Sequence, residues 1–181
     1  VLNTVGTKKT VTIDSSASKG PDRGCDMQPI TALNADYAAM TNKVKSLQAS
    51  GTTNIMEGVA WGLRVLSPGE PFAQSRKGKT GIEQVMIVLT DGSNVFGNAG
   101  NELGSGYSSF GYLTDGRIGI DAGGAGATNT LMNARTLAAC ETAKAQGIEV
   151  YTIRLEEPNV ATGSMLKECA SGADHYFDVP S

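Results

Sequence analysis

Histidine and tryptophan occur once each in this chain, and cysteine three times. The single histidine, His175, lies in a strand-like run, where a packed or edge imidazole accounts for it better than a catalytic or ligand role. Cys25, Cys140 and Cys169 fit no zinc-binding spacing. Scarce histidine and spread-out cysteine argue against Cys-His proteolysis, and no nucleophile elbow or Ser-His-Asp order is present. No apolar stretch approaches the roughly 20 residues that a membrane-spanning helix needs. No signal peptide is present either, and Val1-Leu2-Asn3 is not a natural start, so targeting segments are expected upstream. A net charge of -3 with scattered Lys and Arg gives no electrostatic case for nucleic acid. The one tight basic cluster, Arg76-Lys77 with Lys79, fits a solvated loop.

What remains is enough for one domain: 181 residues, 40% of them hydrophobic. The unbroken apolar run Val85 to Thr90, ending on Asp91-Gly92, predicts a strand buried on both faces, as in a parallel α/β sheet. Ligands of such sheets sit at the carboxyl ends of the strands, so Asp91 is well placed to meet one; an Asp-Gly turn that merely ends a strand is the plainer alternative. Asp36 predicts an N-cap for a helix through about Gln48, with Tyr37, Met40, Val44 and Leu47 on one face. Ile55 to Leu66 reads as a second helix, stopped by Ser67-Pro68, in which Gly58 and Gly62 suggest close packing against a neighbour. Ser93 to Ala127 is a long glycine-rich loop, with Ile118 to Asp121 as a short strand within it. Thr128 or Asn129 caps a helix through about Gln146, with Gly147 as its stop. Ile148 to Leu155 is the next strand, Thr162 to Ala170 a short helix and Asp174 to Val179 a last strand. Upstream, Thr10 to Asp14 has the alternation of a one-sided strand. Right-handed crossovers then predict a three-layer α/β fold, a mostly parallel sheet with helices on both faces.

Three strings carry a resemblance. Gly51-Thr52-Thr53-Asn54-Ile55, the helix Glu57 to Pro68 with its Trp61-Gly62 to Ser67-Pro68 string, and Val88-Leu89-Thr90-Asp91-Gly92-Ser93-Asn94 resemble a von Willebrand factor A-type domain. More narrowly they resemble the TadG-type proteins of the bacterial Tad (Flp) pilus assembly system, and Cys140 to Ile153 and Leu166 to Ser171 continue the match. The resemblance covers roughly Cys25 to Val179. Residues 1–29 then read as a linker or insertion, and 30–181 as the C-terminal part of the domain with its glycine-rich loop at 93–127. Further N-terminal strands and a membrane anchor are expected upstream or lost.

The resemblance implies a metal-ion-dependent adhesion site made of an Asp-x-Ser-x-Ser loop, a threonine and an aspartate. Thr53 matches the second part and Asp91 the third. Asp14, Ser16 and Ser18 match the first literally, but they do not follow a buried strand or open onto a long helix. A hydroxyl and a carboxylate are hard ligands suited to Mg²⁺ or a similar divalent cation. The implied function is non-enzymatic protein binding in the periplasm or cell envelope, with partners from a pilus or secretion assembly. Ser93 and Asn94 are expected at the contact, with the glycine-rich segment as its rim. If the first strand is absent, Val85 to Thr90 becomes an open edge that invites another chain.

Cys140 and Cys169 fall on helices flanking one strand, which can bring them within disulfide range; two buried thiols are the alternative. The resemblance implies an oxidising compartment in which a bond would persist, leaving Cys25 over. Other readings stay open. Asp91 with loop carboxylates such as Asp115, Asp121, Glu156 or Glu157 could serve a metal-dependent hydrolase. Gly123-Gly124-Ala125-Gly126 before a helix could cradle a phosphate in a nucleotide-binding domain, although Asn129 stands where a dinucleotide fingerprint needs glycine. A structural remnant with an adhesive edge is the last.

Overall fold

Three parallel strands, each joined to the next through a helix, set the architecture. The computed structural model describes residues 27–97 and 103–180. In it β1 (Gln84–Thr90), β2 (Ile148–Leu155) and β3 (Tyr176–Val179) pair in the order β1-β2-β3. The helices are α1 (Tyr37–Lys45), α2 (Ile55–Leu66), α3 (Ala125–Ala145) and α4 (Val160–Cys169). The expected strand at residues 10–14, the Asp14, Ser16 and Ser18 match, and Cys25 lie outside the described residues.

Local chemistry explains the helix ends. Asp36 accepts from Ala39 N at 2.9 Å and opens α1, and Asn54 accepts from Glu57 N at 3.0 Å and opens α2. Asn159 does the same for α4 through Thr162 N at 3.0 Å, so that helix starts two residues before the expected Thr162. Ser67 leaves helical geometry ahead of Pro68, as a residue before proline tends to. Gly147 sits at φ +80°, the left-handed stop that suits glycine after α3. At its other end α3 begins at Ala125 with Gly124 as N-cap, more than a turn before the expected cap at Thr128 or Asn129. The helix therefore takes in half of the glycine run. Helix α1 stops at Lys45, short of Gln48, and β3 starts at Tyr176, because 173–175 form a 3₁₀ turn.

The α/β class and the parallel sheet hold, and among the described residues helices cover one face of that sheet. With strand order running steadily from β1 to β3, every right-handed crossover delivers its helix to the same face; covering the other would need the order to reverse. That face holds Met86, Val150 and Thr152, and α2, α3 and α4 close over it in one core with Val59, Cys140 and Leu166. Gly62 lets α2 approach closely, since a Cβ there would lie 3.4 Å from the Met86 side chain; Gly58 faces open space. Cys140 on α3 and Cys169 on α4 are bonded, with Cα atoms 5.2 Å apart.

The opposite face shows why the reading of β1 as doubly buried fails. Val85, Ile87 and Leu89 are exposed on it, as are Phe177 and Val179 of β3. β1 alternates in burial although it does not alternate in sequence. It is also an edge: among the described residues β1 pairs with β2 alone, and a groove of about 280 Å³ runs between that open edge and α2.

The glycine-rich segment is more ordered than a structureless loop. Leu113, Ile118 and Met132 form a second small core with Phe96, Phe110, Ile120 and Leu131 packed against it. Residues 118–121 form turns and not a strand, anchored by Arg135, whose Nε and Nη2 donate to Ile118 O at 3.0 and 2.6 Å.

Candidate functional site at the strand ends

The site is built by the turn after β1 and the N-terminus of α2. Thr90 is buried; its hydroxyl donates to Gly92 O at 2.8 Å and accepts from Gly92 N at 3.2 Å, folding Asp91 outward over a tight turn. Val95 N donates to Thr53 O at 2.9 Å, which ties that turn to the start of α2. A Cβ at Gly92 would lie 2.7 Å from Thr53 Oγ1, so only glycine allows the hydroxyl to sit against the Asp91-Gly92 turn. Thr53, just before α2, and Asp91, just after β1, both flank the carboxyl end of β1, where the Thr53 side chain lies against Gly92. Asp91 is exposed, and among the described residues neither its carboxylate nor the Thr53 hydroxyl has a hydrogen-bond partner or ion pair.

The two expected contact residues behave differently. Ser93 is half-buried and donates to Glu157 Oε1 at 3.3 Å, linking the ends of β1 and β2. Asn94 is corrected from a contact residue to a clamp, because it is fully buried and all its polar atoms are used. Its Oδ1 accepts from Ile55 N at 2.8 Å and Met56 N at 3.3 Å, and its Nδ2 donates to Asn133 Oδ1 at 2.8 Å and Thr136 Oγ1 at 3.2 Å. One carboxamide thus satisfies two orphan amides of α2 and fastens the turn to α3. Nothing in the local pattern distinguishes Asn94 from the polar residues around it; its role depends on residues some forty positions away on either side.

Among the spare carboxylates, Glu157 is buried and its Oε1 also accepts from Asn159 N at 2.7 Å, which braces the start of α4. Asp115 accepts from Tyr112 N at 3.0 Å and holds its own turn, while Asp121 is exposed. In kind, Thr53 and Asp91 fit a hard divalent cation, which takes oxygen donors. In number they are two, and no group of three or more His, Cys, Asp or Glu among the described residues could hold a metal ion.

A second polar cluster lies at the opposite end of the sheet. His175 Nε2 meets Glu149 Oε1 at 2.6 Å and His175 Nδ1 meets Asp174 Oδ1 at 2.7 Å, with the Tyr151 ring 4.4 Å from the imidazole centroid. Hydrogen bonds to Glu149 and then Asp174 hold the imidazolium pKa above its ordinary value, and the bond to His175 lowers that of Asp174. Both ring nitrogens are engaged, so His175 is a packed edge residue that joins β2 to the turn before β3.

No protein-family model matches this chain, and no curated protein matches it. Among solved structures it is similar to the pilus adhesin SpaC from Lactobacillus rhamnosus GG, with a TM-score of 0.50 and 19% identity over 82% of this chain. The chain covers 19% of that protein, about a fifth of its length. At that identity the likeness is one of fold.

Proposed function

We propose that this chain is a non-enzymatic protein-binding domain of the periplasm or cell envelope, working in a pilus or secretion assembly. The observation that carries the reading is the unpartnered Thr53 hydroxyl lying against Gly92 of the turn after β1, whose exposed Asp91 carboxylate is unpartnered as well. Support for the setting comes from the resemblance of the strings around Thr53, Trp61 and Asp91 to the Tad pilus group, and from a fold like that of a pilus adhesin. The disulfide fits an oxidising compartment. No helix among the described residues is long and apolar enough to cross a membrane.

Thr53 and Asp91 would hold a divalent cation of the Mg²⁺ type, whose charge would then meet an acidic group of the partner. The chain's own part is to keep the rim rigid. Asn94 locks the turn to α2 and α3, Gly92 gives the Thr53 hydroxyl its space, and Ser93 ties the turn to Glu157. Two protein donors predict weak binding, with water filling most of the cation's shell. Calorimetric titration with Mg²⁺ and Mn²⁺ tests this: binding that disappears in Asp91→Ala, with circular dichroism unchanged, is the expected result. Absence of cation binding overturns the adhesion-site reading. Turnover of a phosphoester that depends on Asp91 would make the chain a hydrolase, and nucleotide binding lost on altering Gly124 would make it a nucleotide-binding domain.

A further inference from the structure

Glu157 is a carboxylate that the fold takes out of water without a counter-charge. It is 8% exposed, and no Lys or Arg among the described residues pairs with it. Arg154, near the end of β2, turns instead to Asp178 Oδ2 at 3.1 Å and to Asn159 O at 3.3 Å. Burying an ionised carboxylate is costly unless it is paired or coordinates a metal. Hydrogen bonds meet part of that cost, all of them through one oxygen. Oε1 accepts from Asn159 N at 2.7 Å and from the Ser93 hydroxyl at 3.3 Å. Oε2 has no partner among the described residues. It is not sealed either, because the sealed side-chain polar atoms without a partner among those residues are Arg154 Nε and Thr162 Oγ1.

The backbone brings this carboxylate to the end of the sheet that carries Asp91. β1 and β2 run parallel with Thr90 level with Arg154, so the segments that follow them leave the sheet at the same end. Glu156 N still donates to Val179 O at 2.8 Å, and Glu156 then takes φ +53°, a left-handed conformation that residues other than glycine rarely adopt. Past that turn Glu157 is drawn in, while Glu156 stays exposed. Two neighbouring acids thus differ sharply in surroundings. Ser93, next to Gly92, closes the link from the β1 side through its bond to Glu157. The side chains gathered at this end offer oxygen alone: the hydroxyls of Thr53 and Ser93 and the carboxylates of Asp91 and Glu157.

We propose that Glu157 is a further ligand of the divalent cation proposed for the rim, its free Oε2 giving the ion a second carboxylate with the Ser93 hydroxyl beside it. The proposal rests on the reading of Thr53 and Asp91 as a cation site. A Mg²⁺-type ion keeps several waters and is held by one or two carboxylates, so Asp91 and Glu157 can serve one ion with water completing its shell. The ion supplies the counter-charge that Glu157 lacks. Its binding is felt at α4 as well, since the same carboxylate holds Asn159 N at the start of that helix.

Calorimetric titration of the full chain with Mg²⁺ and Mn²⁺ tests this by comparing Glu157→Gln with Glu156→Gln. Each variant removes one charge, and glutamine at 157 keeps an oxygen to accept from Asn159 N and Ser93, so circular dichroism should match the wild type. Glu157→Gln should raise the dissociation constant about tenfold or more. Glu156→Gln should change it less than about twofold, since salt screens an exposed charge. A second measurement needs no variant: on the labelled wild-type chain, Mg²⁺ should shift the side-chain carboxyl ¹³C signal of Glu157 and the amide of Asn159 along with that of Gly92. Wild-type affinity in Glu157→Gln, or equal losses in the two variants, overturns the role of Glu157 while leaving the rim to be decided by Asp91→Ala. Signals of Glu157 and Asn159 that stay still while Gly92 moves do the same. A wild-type chain that binds no cation overturns both readings.

Discussion

On β1, Met86 is buried at 6% exposure while its neighbour Ile87, as apolar, is 66% exposed. The same contrast runs through the sheet, with Val150 and Thr152 sealed under helices and Leu89 and Phe177 open. Residue type does not separate the two faces, since a buried threonine lies on one and exposed isoleucine and leucine on the other. Topology separates them: a strand order without reversal and right-handed crossovers put α3 and α4 on one side, where α2 packs into the same core. The lesson is that an unbroken apolar run tells that a strand is built for two covered faces, but not that this chain covers both by itself.

The largest effects should therefore come from the covered side. Replacing Cys140 and Cys169 by serine opens a loop of 29 residues between α3 and α4 and should cost about 3–4 kcal/mol in denaturant unfolding. Leu166→Ala empties a fully buried position against β2 and should cost about 2–5 kcal/mol by the same measurement. Asn94→Ala leaves Asn133, Thr136 and the first amides of α2 without their partner, for about 1–3 kcal/mol. Ile87→Ala, on the bare side, should change the stability of the monomer by no more than about 0.5 kcal/mol. A loss at Ile87 as large as that at Leu166 would break the contrast between the faces.

The smallest effect belongs to the rim of the bare face. His175 has its pKa raised by Glu149 and Asp174, so its contribution is complete below the ordinary imidazole value of 6.5 and is lost as pH rises through the raised folded value. Asp174 has its pKa lowered, so its contribution is complete above 3.8 and is lost as pH falls through the lowered folded value. The stability difference between the wild-type chain and His175→Gln should thus be greatest between these limits and shrink on the alkaline side. Thermal melts of the two at a series of pH values measure it, and a difference that grows with pH would contradict the clamp.

Much of the fold was legible because it rests on local signals. Asp36 and Asn54 announce their helices, Ser67-Pro68 and Gly147 end theirs, and Asp91-Gly92 closes β1. The start of α3 was misplaced because Gly124 to Ala127 carries no capping side chain, and helix there is held by packing around Met132. The single-sided sheet was missed because the handedness of connections acts on strand order, which no single window contains. The places of Thr53 and Asp91, beside a helix start and a strand end, were legible in the same way. The role of Asn94 was not, since its clamp joins three segments that meet only in the folded chain.

Manganese relaxation measured by nuclear magnetic resonance on the ¹⁵N-labelled chain tests the shared rim most directly. The account predicts that dilute Mn²⁺ first broadens the amides of Thr53, Gly92 and Ser93, leaves those of Glu149 and His175 at the far end sharp, and loses its effect in Asp91→Ala. Broadening centred on Glu149 and Asp174, or no selective broadening at all, would contradict it.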